Sequence, residues 1–175
     1  MFIQYLIIKC IIMTKKRRAY LIGHGNLSLD GFLKSLIENK IGLLVDVRSN
    51  PYSGYVSHFN RESLMEVLAS KNIKYRYMGN VLGGRQTAFI KASQTKNKFS
   101  QFRSYMKSEE FKTAIEKLKS LIKSNNLAIM CSELDYKKCH RQFIREKLIK
   151  DDYDVKIIEK HGDINPQQTL GVFNE

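Results

Sequence analysis

The chain has 175 residues, of which 43% are hydrophobic, so it is long and apolar enough to form one domain with a buried core. A formal net charge of +13 and a pI near 9.7 favour anionic partners, with nucleic acid first among them. Lysine-rich, solvated helix faces would account for the same excess without any partner. Three cysteines in no regular pattern exclude a secreted disulfide scaffold and indicate a reducing, cytoplasmic location.

The N-terminal segment is apolar over its first 12 residues, which is too short to span a bilayer. Its basic cluster at 15–18 follows the apolar run, whereas a signal peptide carries positive charge before that run. We interpret residues 1–18 as a doubtful extension and basic segment, in which Met13 opens an ordinary start. A weak membrane-surface anchor is the alternative, and stable membrane insertion is not expected. The predicted domain covers 19–165, and 166–175 form a tail.

Apolar runs and helical spacing then alternate along the chain. Continuous apolar runs predict strands covered on both faces, and the alternation with helices predicts a parallel sheet. The predicted fold class is therefore α/β, a single domain with a mainly parallel sheet of about five strands and helices on both faces. Residues 80–98 are polar and glycine-containing, which predicts a long loop. The predicted strands are 19–23, 43–47, 73–77, 127–131 and 154–159, and the helices are 29–37, 61–68, 111–122 and 139–150.

Polar residues follow three of these strands directly. In parallel α/β sheets, ligands bind beyond the carboxyl ends of the strands, near a topological switch. We therefore expect His24, Asp46, Arg48, Cys131, Glu133 and Arg141 to line one pocket. Two structural alternatives stay open at this point. His24 could cap the next helix, and Asp46 and Arg48, which share a strand face, could form a structural ion pair.

The loop after the fourth predicted strand, "CSELDYKKCHR", contains two of the three cysteines. Cys131 precedes a helix N-terminus and four basic groups, which should lower its thiol pKa and favour the thiolate, although Glu133 opposes this. Cys139 should be buried by its helix and is a candidate redox partner. An anion cradle in the same loop is a third interpretation. Zinc is disfavoured, because Cys139 and His140 are adjacent and no Cys-x-x-Cys spacing occurs.

Several motifs in one order resemble the DUF488 family, a domain family of unknown function, over residues 19–160. They are "IGHGN", "LLVDVRSNPYS", "HFNRESL", "GGR" and "CSELDYKKCHR". The resemblance implies a fold and a site but no established reaction. A weaker likeness links "LLVDVRSNPYSGY" to rhodanese-like domains, although no arginine stands at the spacing of their active loop after Cys131. The residues that match the family motifs are His24, Asn26, Asp46, Arg48, Pro51, Phe59, Asn60, Gly83, Gly84, Arg85, Cys131, Glu133, Cys139, His140 and Arg141.

These residues predict a cationic Cys/His/Arg site for an anionic, phosphate- or nucleotide-like substrate, in an enzyme or a ligand-binding domain. Cys131 is the candidate nucleophile, Glu133 or Asp46 the orienting group or base, and His24 or His140 the proton exchanger. The predicted anion-binding residues are Arg48, Arg85, Arg141, Gly83, Gly84 and Asn26. No cofactor and no metal is implied.

Two alternatives belong to other functional classes. A non-catalytic nucleic-acid-binding module would use the basic surface, with Tyr52, Tyr55, Tyr75 and Tyr77 as stacking groups. Rhodanese-like sulfur transfer or thiol redox chemistry would instead use Cys131 and Cys139.

Overall fold

The computed structural model describes residues 17–85 and 97–158. Within these ranges the five strands form one sheet in the order β3-β2-β4-β1-β5, and every neighbouring pair is parallel. The predicted α/β fold class is confirmed. The strands are β1 (Arg18–Gly23), β2 (Leu43–Asp46), β3 (Lys74–Tyr77), β4 (Leu127–Cys131) and β5 (Asp154–Ile157).

Six α-helices connect and cover these strands in the described part of the chain. They are α1 (Leu29–Glu38), α2 (Arg61–Ser70), α3 (Gly79–Leu82), α4 (Lys98–Tyr105), α5 (Glu109–Ser124) and α6 (Arg141–Lys150). Two single 3-10 turns, Ser57–Phe59 and Tyr136–Lys138, lie in the loops before α2 and α6. No helix in the described ranges combines the length and the apolar character needed to cross a bilayer.

The sheet has a separate hydrophobic core on each face, because successive side chains of a strand point to opposite faces. Leu127 and Ile129 of β4 pack with α3, α4, α5 and α6 on one face. Ala128 and Met130 pack with α1 and α2 on the other. All five residues of β4 are buried, as expected for a central strand whose sequence is apolar throughout.

Helix caps fix where the helices begin. The Ser28 side chain caps α1 by accepting a hydrogen bond from the main-chain N–H of Gly31 at 3.2 Å. Asn97 caps α4 by accepting from the N–H groups of Phe99 and Ser100 at 2.9 and 3.1 Å. The loop predicted at 80–98 overlaps α3 at its start and α4 at Lys98, and residues 86–96 lie outside the described residues. The predictions for residues 1–12 and 166–175 concern positions outside the described residues.

The order of the strands determines where a site can form. β4 lies between β1 and β2, although it follows both in the chain. The helix after β1 covers one face of the sheet, while the helix after β4 covers the other. The connections from β2 and β4 leave in opposite directions, to β3 and to β5, so the carboxyl ends of β2 and β4 form the topological switch point at which α/β proteins bind ligands. On its other side, β4 pairs with β1. Gly23 and Cys131, the last residues of these two strands, are paired in the sheet register.

Candidate functional site

A cleft of about 330 Å³ lies at the carboxyl edge of the sheet, which is within the usual size range of small-molecule sites. It lies between the end of β2, the end of β4 and the start of α4. Cys131, Cys139 and His140 line its floor. Arg85, Lys98 and Lys138 line its rim, together with one acidic side chain, Glu133.

Cys139 and His140 lie where the loop after β4 turns into α6. Cys139 Sγ is 3.5 Å from His140 Nδ1, and the Nε of Arg141 donates a hydrogen bond to this sulfur at 3.4 Å. His140 Nε2 is 3.1 Å from the main-chain carbonyl of Val47. Because a carbonyl only accepts, Nε2 carries a proton, and Nδ1 is the nitrogen directed at the sulfur.

The two floor cysteines differ in their electrostatics. The side-chain hydrogen bond with Cys131 lowers the pKa of Cys139, and the contact with His140 and the charge of Arg141 lower it further. The same hydrogen bond, together with burial, raises the pKa of Cys131. The prediction that basic neighbours lower the thiol pKa of Cys131 is therefore wrong, and the basic group that contacts a cysteine sulfur here, Arg141, donates to Cys139. The prediction that Cys139 is buried is confirmed, with 3% of the residue exposed.

Three atoms of the floor are of the type that ligates metals. Cys131 Sγ, Cys139 Sγ and a ring nitrogen of His140 all lie within 4.8 Å of one another. The geometric objection to joint ligation by two adjacent residues is wrong for this chain. Cys139 has extended backbone and His140 helical backbone, and this change of direction brings both side chains together.

Asp46 and Arg48 form a buried ion pair behind the cleft, with 0% and 3% of their side chains exposed. Arg48 Nη2 donates to Asp46 Oδ2 at 2.6 Å, and Arg48 Nε donates to both carboxylate oxygens at 3.0 Å. The Tyr75 hydroxyl also donates to Oδ2, at 2.7 Å. This geometry matches the structural ion pair that the sequence left open. Anion binding by Arg48 stays a prediction, although Arg48 borders the cleft.

His24 completes this buried network. Arg48 Nη1 donates to His24 Nε2 at 3.2 Å, and His24 Nδ1 donates to the carbonyl of Gly25 at 2.9 Å. The ring stacks on Phe59 with 4.3 Å between centroids. Burial, and then the charge of Arg48, lower the pKa of His24 to about 4. His24 is therefore neutral at neutral pH, and its predicted role in proton exchange stays untested.

Arg141 is 1% exposed and ties three segments together. Its Nη1 donates to the main-chain carbonyl of Ile22 in β1, and its Nη2 to that of Glu133 in the loop after β4. A Cβ atom at position 23 would lie 2.0 Å from the carbonyl oxygen of Glu133, so only glycine allows this approach. Arg141 thus supports the floor from beneath, and its predicted role in anion binding stays untested.

The side chains of the rim are exposed, whereas the main chain that carries Arg85 is held by a hydrogen bond. The main-chain N–H of Arg85 donates to the Ser49 hydroxyl at 2.8 Å, which fastens the Gly83-Gly84-Arg85 segment to the end of β2. Within the ranges that the structure describes, Arg85, Lys98, Lys138 and Glu133 form no side-chain salt bridge. The rim therefore has three cations and one acid.

The structure brings some of the predicted residues to the cleft and leaves others behind it. Those that line the cleft are Arg48, Gly84, Arg85, Cys131, Glu133, Cys139 and His140. Those that do not are His24, Asn26, Asp46, Gly83 and Arg141. Sequence reasoning missed Lys98 and Phe102, which reach the cleft from α4. The capping residue Asn97 and the three-residue spacing of Phe99 and Phe102 were the signal for this helix.

Comparison with known proteins agrees with the resemblance drawn from the motifs. The family model described as "Domain of unknown function DUF488" matches residues 28–148, which is more than half of the chain. The chain belongs to the DUF488 family. The match includes all the cleft-lining residues named above, whereas His24 and Asn26 precede it. No curated protein and no solved structure matches the chain significantly. The likeness to rhodanese-like domains is not supported by this family match and stays a prediction.

Proposed function

We propose that this DUF488 protein is an enzyme that holds a small phosphate- or nucleotide-like anion in the cleft. The observation that carries the proposal is the composition of the cleft, in which three exposed cations surround a floor of two cysteines and a histidine. Exposed cations above buried reactive groups are the arrangement that an enzyme for an anionic substrate needs.

The rim provides the charge for binding. Arg85, Lys98 and Lys138 approach the cleft from three different segments, so an anion bound among them would be contacted from several sides. Glu133, the one acid among the described residues that line the cleft, is a candidate base for a proton of the substrate. The buried arginines, Arg48 and Arg141, serve this function by holding the strand ends and the floor in place.

The floor provides the reactive groups. Cys139 Sγ and His140 Nδ1 are 3.5 Å apart and both border the cleft, so they can meet the part of the substrate that reaches past the rim. Arg141 keeps the sulfur of Cys139 in place from the buried side. In this proposal Cys139 and His140 are the reactive groups, whereas the sequence predicted Cys131 as the nucleophile.

The test is the affinity for small anions, measured by isothermal titration calorimetry with pyrophosphate and adenosine monophosphate. Lys98→Gln and Lys138→Gln should each lower the affinity by about tenfold, because a hydrogen bond to a charged group is worth about 1.5 kcal/mol or more. Lys123→Gln is the matched control, since Lys123 is an exposed lysine near the end of α5, at the opposite edge of the sheet. Equal affinities in all three variants would overturn the proposal.

Nucleic-acid binding is the competing proposal, favoured by the net charge of +13. Two of its four tyrosines are held within the domain, since Tyr75 donates to Asp46 and Tyr77 donates to the carbonyl of Ser49 at 3.3 Å. Tyr55 is 91% exposed and Tyr52 is 50% exposed. A nucleic-acid-binding surface predicts that Lys123→Gln weakens binding of a single-stranded oligonucleotide as much as Lys98→Gln does, with a steep salt dependence.

A further inference from the structure

The floor of the cleft brings together three atoms of the type that ligates metals, and the proposed function names no reaction for them. We propose that Cys131 Sγ, Cys139 Sγ and His140 Nδ1 bind one thiophilic divalent cation, of which zinc is the best match. A fourth coordination position then faces the cleft, because all three ligand residues line it. Binding of the ion depends on the floor alone, so this inference goes beyond the proposed anion binding at the rim.

The distances fit a tetrahedral ion. With Zn–S bonds of about 2.3 Å and Zn–N bonds of about 2.0–2.1 Å, a sulfur and a nitrogen that share a tetrahedral zinc lie about 3.6 Å apart. Cys139 Sγ and His140 Nδ1 are 3.5 Å apart. Two sulfurs on such an ion would lie about 3.8 Å apart, and the atoms of this cluster all lie within 4.8 Å of one another. The ion therefore requires only small side-chain movements.

The surroundings of the ligands are those of a metal site. A histidine that binds a metal usually donates its other ring N–H to a carbonyl or carboxylate, which fixes the tautomer. His140 does so through Nε2, which donates to the carbonyl of Val47. The Arg141 Nε–H bonded to Cys139 Sγ orients that sulfur in the same way. Both partners hold the ligand atoms toward a common point.

Space beside the ligand nitrogen is kept free by a glycine. A Cβ atom at position 84 would lie 2.8 Å from His140 Nδ1, closer than ordinary van der Waals contact. Gly84 therefore leaves room next to the nitrogen, at the border of the cleft. A methyl group there would press on the imidazole and cover the side from which an ion reaches it.

The types of ligand atom in the floor determine which metal ion fits best. Two sulfurs and one imidazole favour zinc over magnesium or calcium, which prefer oxygen ligands. Three protein ligands with one position left open are typical of catalytic zinc sites, whereas structural zinc sites have four protein ligands. In the described ranges this is the one such group of histidine, cysteine or acidic residues whose ligand atoms converge.

The experiment measures metal binding by the full chain, purified under reducing conditions and freed of metal with a chelator. Zinc is titrated in competition with a chromophoric chelator, and cobalt(II) serves as a spectroscopic probe. We expect one ion per chain, with sulfur-to-cobalt charge-transfer absorption and the intense visible bands of tetrahedral cobalt. Cys131→Ser, Cys139→Ser and His140→Asn should each weaken binding by about tenfold or more. Cys10→Ser and His58→Asn, which leave the floor intact, should bind as the parent chain does.

A second measurement needs no variant and so does not depend on how well the variants fold. Zinc should protect Cys131 and Cys139, but not Cys10, from alkylation by iodoacetamide, as read by peptide mapping. Failure to bind zinc above the chelator background, or binding by Cys131→Ser and Cys139→Ser that equals that of the parent chain, would overturn the inference. The anion titrations report on the rim separately. Anion binding without zinc binding would assign thiol chemistry to the floor and leave the proposed function in place.

Discussion

Individual charged residues around the cleft fall into two groups that the sequence does not distinguish. Arg48 and Arg141 are buried and donate to a carboxylate or to main-chain carbonyls. Arg85 and Lys98 are exposed on the rim. The buried arginines hold backbone segments in position, and the exposed cations are available to a ligand. A substitution should therefore affect stability in the first group and binding in the second.

Asp46→Asn tests the structural role of the buried network. The amide removes the charge that compensates Arg48, so an unpaired guanidinium remains in a site that is 3% exposed. Breaking a buried ion pair from one side costs about 3–5 kcal/mol, and we expect a loss of that size in the free energy of unfolding. Urea denaturation followed by circular dichroism measures it. The control is Asp154→Asn at the exposed Arg18–Asp154 pair, where only a small change is expected. Similar losses in both variants would refute the structural role.

At the scale of elements, α4 is the part of the site that sequence reasoning did not find. Its Phe102 ring is buried, stacks on Phe143 at 5.6 Å between centroids, and lies 5.4 Å from the His140 ring. The helix also brings Lys98 to the rim. Docking of this two-turn helix therefore positions a cation and covers one side of the floor.

Asn97→Ala tests whether the docking of α4 contributes to anion binding, apart from its contribution to the stability of the domain. Loss of an N-cap costs about 1 kcal/mol, and here it loosens the first turn, which carries Lys98. We expect a severalfold loss of anion affinity, measured by calorimetry, beside the loss of stability. Ser28→Ala is the matched control, since it removes the cap of α1 on the opposite face of the sheet. An equal loss of affinity in both variants would show that the effect is not local to α4.

The strands could be predicted from the sequence because the central ones are buried on both faces and therefore apolar throughout. Their carboxyl ends identified the edge that carries the cleft. The directions of the side chains beyond those ends could not be predicted. Arg48 turns inward because Asp46 lies two residues earlier on the same strand face, and Arg141 turns inward toward the carbonyls of Ile22 and Glu133. These acceptors become neighbours only when β1, β4 and α6 assemble.

At the scale of the whole molecule, the same contacts close the fold and build the site. The main-chain N–H of His24 donates to the carbonyl of Cys131 at 3.1 Å, and that of Gly25 to Ser132 at 2.8 Å. The N–H of Val47 donates to Met130 at 2.9 Å. The ends of β1, β2 and β4 are thus fastened to one another directly beneath the floor. Conditions that weaken this junction should lower the stability of the domain as a whole.

Mild acid is such a condition, because His24 is buried at this junction as a neutral ring. Its pKa is lowered to about 4 in the folded chain, against about 6.5 in an unfolded chain. Between these values the unfolded chain binds a proton that the folded chain does not bind, so the free energy of unfolding decreases as the pH falls through this window. His24 then accounts for a loss of about 3 kcal/mol in the free energy of unfolding by pH 4, at about 1.4 kcal/mol per pKa unit.

Urea denaturation between pH 7 and pH 4 measures this dependence on pH. His24→Gln, which can still accept a hydrogen bond from Arg48, should show a smaller decrease over the same range. Parallel curves for the two chains would mean that another group, and not His24, makes the fold sensitive to acid.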